Sequence, residues 1–113
     1  MKRLNRLMFS GLATLVIAAP AGATTDVSAI RVTSARATHN FVVATVKNYS
    51  SQSVGAFDVY FNIYTRDGKF TETVEASFSG TLRPGASARI KGGIFKSYDP
   101  GPAIVEVKEI RPF

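Results

Sequence analysis

Nucleophilic or acid–base catalysis in this chain would have to run through one residue, because His39 is the sole histidine and cysteine is absent. A Ser/His/Asp hydrolase would use His39 as its base, with Ser34, Ser50 or Asp58 as companions. No G-x-S-x-G turn presents a nucleophile. Flanked by Thr38 and Asn40, His39 reads more simply as an exposed residue at the start of a strand. The missing cysteines remove disulfides, thiolate metal sites, cysteine nucleophiles and a lipid-modified cysteine. Carboxylates are the remaining metal ligands. Glu72 and Glu75 differ in parity, so on a strand they point to opposite faces, and Asp67 lacks the alternating acidic spacing of a calcium loop. Glycoside cleavage needs two acids across a cleft, and a domain this small has little room for one. No enzyme activity, cofactor or metal is expected.

Two sets of side chains suit binding instead. Tyr60, Asn62 and Tyr64 alternate along one stretch, and Asp58 and Arg66 would extend the row. Tyrosine is enriched at binding faces, although strands favour tyrosine for packing alone. Arg89 and Lys91 share a parity and, with Arg83 and Lys96, would form a basic patch towards phosphate-bearing envelope polymers. The competing reading of that patch is a solvated strand face that discourages edge aggregation.

The first 23 residues have the three-part layout of a secretory signal peptide. Lys2, Arg3 and Arg6 form a basic head, Leu7 to Ala19 an apolar run, and Pro20-Ala21-Gly22-Ala23 a small-residue close before Thr24. The run is too short for the roughly 20 residues that span a bilayer as a helix. Removal of this segment leaves 90 of 113 residues, one domain with one modest core. It also removes three of fourteen basic residues, so the formal charge of +6 falls to +3. Residues 24–82 balance five basic against five acidic side chains, whereas residues 83–113 carry six against three. Such a charge in an exported protein does not point to nucleic acid, and no membrane span remains. The destination is the periplasm or the outside medium.

The remaining chain has a period of two. Ala56 to Tyr64 puts Phe57, Val59, Phe61 and Ile63 on one side and Asp58, Tyr60, Asn62 and Tyr64 on the other, which predicts a half-buried strand. Phe41 to Val46 predicts a second strand burying Val42, Ala44 and Val46. Val27 to Val32, Glu72 to Phe78, a segment around Ala88 to Lys91 that Gly92-Gly93 ends or bulges, and Ala103 to Ile110 supply others. Asn48 to Ser53 is a polar turn whose side chains satisfy nearby backbone groups. Asp67-Gly68 marks a hairpin, Pro84-Gly85 a type II turn, and Asp99-Pro100-Gly101-Pro102 a rigid corner. Short strands and no helical period predict an all-β domain over residues 24–113: an Ig-like antiparallel β-sandwich of about seven strands.

Phe61-Asn62-Ile63-Tyr64 resembles the name-giving motif of the FxLYD-type domains, small Ig-like or fibronectin-III-like sandwiches of exported proteins. Val42-x-Ala44-x-Val46-x-Asn48-x-Ser50, Asp67-Gly68 and Leu82-x-Pro84-Gly85 resemble that group's strand and turns in order, over residues 42 to 95. Thr65 stands where the motif has Asp, and Ala44 where Gly is usual. The resemblance implies a fold and an envelope location without a reaction. The expected function is therefore an exported, non-catalytic binding or accessory module that docks an envelope protein through a sheet face or edge strand. Recognition of an anionic envelope polymer by the C-terminal basic cluster is the alternative, and a small hydrolase using His39 comes last.

Overall fold

A computed structural model describes residues 23–95 and 104–113. All but the last residue of the expected signal peptide over residues 1–23, the Asp99-Pro100-Gly101-Pro102 corner and Lys96 lie outside the described residues. Among the described residues there are six strands: β1 (Ile30–Ala37), β2 (Phe41–Asn48), β3 (Phe57–Tyr64), β4 (Phe70–Phe78), β5 (Ser87–Gly93) and β6 (Ile104–Pro112). They form two three-stranded antiparallel sheets, ordered β1-β2-β5 and β4-β3-β6. The fold is all-β and lacks helix among these residues. Six strands account for the segments that alternation identified, and no seventh is seen among the described residues.

Alternation decides which side chains enter the core. Val42, Ala44 and Val46 of β2 meet Phe57, Val59, Phe61 and Ile63 of β3, and all are essentially inaccessible to water. Val74 and Ala76 of β4, Ile90 of β5, Ile30 of β1 and the loop residues Val54 and Leu82 complete the interior. Burying a side chain of this kind contributes about 1.5–3 kcal/mol, and the core does this without any cross-link. The cover is thinner where β1 faces β6. Val107 pairs with the core residue Phe61, yet it remains 42% exposed. The inward residues in the second half of β1 are only Ala35 and Ala37, which pair with Ala44 and Val42.

The first strand starts later than the Val27 to Val32 expectation. The Asp26 carboxylate accepts the Ser28 amide at 3.0 Å, and the Ile30 amide reaches the Val27 carbonyl at 3.0 Å. This turn holds residues 26–29 out of the sheet, and pairing with β2 carries the strand on to Ala37. The predicted turns that lie among the described residues form. Gly68 donates to the Thr65 carbonyl at 2.9 Å, closing the β3–β4 hairpin. Ala86 donates to the Arg83 carbonyl at 3.0 Å, with Gly85 at φ 77°, as a type II turn requires. Gly92 does not bulge its strand: the β2–β5 register runs unbroken from Lys47↔Ser87 to Phe41↔Gly93. A Cβ at Gly92 would sit 2.4 Å from the Glu75 carbonyl oxygen, so glycine there lets the edges of β5 and β4 meet.

One buried polar side chain holds the two sheets in register. Asn48, fully buried, donates through Nδ2 to the carbonyls of Gln52 at 2.7 Å and Leu82 at 2.9 Å. Its Oδ1 accepts the Ser50 amide at 2.8 Å and the Ser50 hydroxyl at 2.7 Å. Its backbone bonds Ala86 and Gly85. The residue thus fastens the β2–β3 crossing and the β4–β5 crossing to one point. Replacing it strands several buried polar groups, each costing about 1–3 kcal/mol. We predict that Asn48→Ala lowers unfolding free energy by at least about 2 kcal/mol in urea titration. A loss under about 0.5 kcal/mol, the scale of an ordinary surface substitution, would contradict this role. Gly92→Val should also destabilise, by about 1–3 kcal/mol, through overpacking against β4.

Candidate functional site

The inward faces are committed to the core, and the two outward faces differ sharply in charge. On the β1-β2-β5 sheet the outward residues are Arg31, Ser34 and Arg36 from β1, Phe41, Val43, Thr45 and Lys47 from β2, and Ser87, Arg89, Lys91 and Gly93 from β5. Five are cations and none is acidic. On the β4-β3-β6 sheet, Asp58, Glu75, Glu106 and Glu109 stand against Arg111, with Lys108 in a bulge beside them.

The register arranges the first face in cross-strand rows. Arg31, Lys47 and Ser87 form one, Ser34, Thr45 and Arg89 the next, and Arg36, Val43 and Lys91 the third. Like charges directly opposite on neighbouring strands destabilise a sheet, yet Arg31 lies opposite Lys47. Among the described residues, no carboxylate pairs with Arg36, Arg89 or Lys91. The Arg31 guanidinium turns to the Ser28 and Ile30 carbonyls. Lys47 Nζ lies 5.0 Å from the Tyr49 ring centre, and Lys91 Nζ 4.4 Å from that of Phe41. Such contacts leave an ammonium group hydrated on its outer side.

This face is also grooved. A depression of about 240 Å³ lies among Ser34, Arg36, Val43, Thr45 and Arg89. A second, of about 440 Å³, lies among Thr38, Phe41, Val43, Arg89 and Lys91. Val43 and Arg89 border both. Sequence reasoning found Arg89 and Lys91 but not Arg31, Arg36 and Lys47, because only the strand order β1-β2-β5 sets them side by side. Arg83 belongs to the β4–β5 turn rather than to a strand of this face, and Lys96 is not among the described residues.

The tyrosine row forms on the opposite sheet. Tyr60, Asn62 and Tyr64 point outward from β3, while Arg66 lies in the hairpin turn beyond the row's end. These side chains are tied across strands. The Tyr64 hydroxyl donates to Glu106 Oε1 at 2.8 Å, and its ring meets Phe70 edge-on at 5.8 Å. Thr73 donates to Asn62 Oδ1 at 2.9 Å, Ser77 to Asp58 Oδ1 at 2.6 Å, and the Arg111 guanidinium lies 5.1 Å from the Tyr60 ring centre while pairing with Glu109. The Glu106 carboxylate holds the Tyr64 phenol above its ordinary ionisation value.

The imagined hydrolase residues are dispersed. His39 is exposed in the β1–β2 turn, Ser50 is engaged with Asn48 in the β2–β3 loop, and Asp58 is bonded to Ser77 on the other sheet. Among the described residues, no three metal-ligating side chains cluster, and no helix is long and apolar enough to cross a membrane. Searches of family models, of curated proteins and of solved structures return no match to this chain.

The Tyr64–Glu106 pair has a pH signature. A folded value raised above the unfolded one adds stability below the unfolded value of about 10, and that stability is lost as pH rises through the folded value. Tyrosine NMR titration should show Tyr64 ionising above about 10 and moving back towards it in Glu106→Ala. A Tyr64 titration unmoved by that substitution would contradict the pairing.

Proposed function

We propose that this protein is an exported, non-catalytic binding module of the cell envelope that docks anionic partners through the outer face of its β1-β2-β5 sheet. The observation that carries this reading is the segregation of charge: five outward cations without a carboxylate among them, on a sheet backed by an acid-dominated one. Soluble domains intersperse the two signs, and departures from local rules concentrate at functional sites. An acid-free cationic face is costly for the fold and favourable for capturing negative charge.

The face is favoured over an edge strand. Where a partner strand would add, β1 has a bulge between Val32 and Ser34, and β6 one between Tyr60's and Phe61's partners, with Lys108 as the extra residue. Bulges and lysine are devices that discourage strand addition. The cationic face is also favoured over the tyrosine row, whose polar groups already have partners across the sheet. An Ig-like envelope module without a reaction, as the FxLYD resemblance implies, agrees with this reading.

Heparin serves as a general polyanion probe. Binding by calorimetry should weaken steeply with salt, by about 20-fold from 50 to 200 mM if three cations engage. Arg89→Glu with Lys91→Glu should reduce affinity at low salt by at least about tenfold, the effect of about 1.4 kcal/mol. Tyr60→Ala with Tyr64→Ala should leave it unchanged. Salt-insensitive binding, or binding lost in the tyrosine variant but kept in the reversal, would reject the assigned face.

A further inference from the structure

The groove between β1 and β5 is more specific than a diffuse basic surface. Arg36 pairs with Val43 and Arg89 with Thr45, so the two arginines stand diagonally across β2. Two strand spacings of about 4.8 Å and a two-residue offset of about 6.7 Å put their Cα atoms roughly 12 Å apart, within joint reach of two extended arginine side chains. Both line the 240 Å³ depression, together with the hydroxyl-bearing residues Ser34 and Thr45. Among the described residues nothing engages either guanidinium or either hydroxyl. The Thr33 hydroxyl bonds only the Thr45 carbonyl, at 3.3 Å. The volume is below that of a pocket for a whole drug-sized molecule and suits a single charged group.

We infer that this groove is an oxyanion site that takes the phosphate groups of a linear phosphodiester polymer. The inference rests on the electrostatic docking proposed above and names its ligand. Shape separates phosphate from carboxylate here. A carboxylate is planar, and all its acceptor sites lie in that one plane. A phosphodiester is tetrahedral, and it accepts from separate directions: Arg36 on one side, Arg89 on the other and the hydroxyl of Ser34 or Thr45. Arginine also matches phosphate through two parallel bonds where lysine offers a point charge. The cationic rows extend the site. Outward residues on one strand repeat every two positions, about 6.7 Å, so Arg31 with Lys47 and Arg36 with Lys91 flank the central Arg89 row along the strand direction. A polymer with a short polyol spacer between phosphates would meet successive rows, and its affinity would exceed that of one phosphate by multivalency.

The test compares a glycerol-phosphate oligomer, inorganic phosphate and poly-L-glutamate of the oligomer's charge number, by calorimetry on the purified protein at fixed salt. The oligomer should bind at least about fivefold more tightly than poly-L-glutamate and at least about a hundredfold more tightly than inorganic phosphate. In Arg36→Lys with Arg89→Lys, which keeps the net charge, the preference over poly-L-glutamate should fall to near unity. Surface substitutions of this kind leave the melting temperature within a few degrees, which checks that the variant folds. Ser34→Ala with Thr45→Val provides a second variant, predicted to reduce the same preference. Equal binding of the two polymers, or a preference that survives both variants, overturns the phosphate site and leaves electrostatic docking standing. Inorganic phosphate binding as tightly as the oligomer overturns the polymer ligand. Failure of both polymers to bind overturns the site and the docking reading together.

Discussion

The sandwich depends on one buried amide. Asn48 sits at the end of β2, where the chain leaves the first sheet for the second, and its Nδ2 also grips Leu82 in the segment that brings the chain back. Val54 and Leu82 exchange two backbone bonds at 2.9 and 2.8 Å beside it, so the outgoing and returning crossings are knitted together. Each polar atom of the Asn48 side chain is satisfied, which makes its burial favourable where an unpaired amide would cost several kcal/mol. The consequence reaches beyond stability. The returning crossing delivers β5 to the free edge of β2, and without β5 the sheet would have neither Arg89 nor Lys91.

The same division of labour explains how a small, uncrosslinked domain tolerates a face of like charges. The inward side chains of β2 and β3 form a dense interior, whose stabilisation offsets the repulsion among Arg31, Lys47, Arg36, Arg89 and Lys91. Contacts with Tyr49 and Phe41 soften two of these charges without neutralising them. On the opposite sheet the charges and polar groups answer one another: Tyr64 with Glu106, Thr73 with Asn62, Ser77 with Asp58, Arg111 with Glu109. The polar groups of one outer face are paired among themselves, whereas Arg36, Arg89 and Lys91 on the other have no carboxylate partner among the described residues.

Local chemistry made much of the fold legible. Parity along residues 56–64 separated Phe57, Val59, Phe61 and Ile63 from Asp58, Tyr60, Asn62 and Tyr64, and the burial of β3 follows it residue by residue. Pro84-Gly85 and Asp67-Gly68 read as turns because φ and hydrogen-bonding preferences are properties of a few adjacent residues. Non-local consequences were not legible. The Asp26 turn displaces the start of β1, and Gly92 answers to a carbonyl on β4 seventeen positions earlier in the chain. The candidate site shows the same limit. Arg89 and Lys91 announced themselves by sharing one strand, whereas Arg31, Arg36 and Lys47 join them only through the sheet order.

The claim that the cationic sheet face is the binding surface is tested most directly by mapping backbone amide chemical shifts during a heparin titration. Perturbations should concentrate at Arg31, Ser34, Arg36, Val43, Thr45, Lys47, Arg89 and Lys91, with the amides of Asp58, Tyr60, Asn62 and Tyr64 unmoved. Perturbations centred on the β4-β3-β6 face, or spread evenly over both sheets, would contradict it.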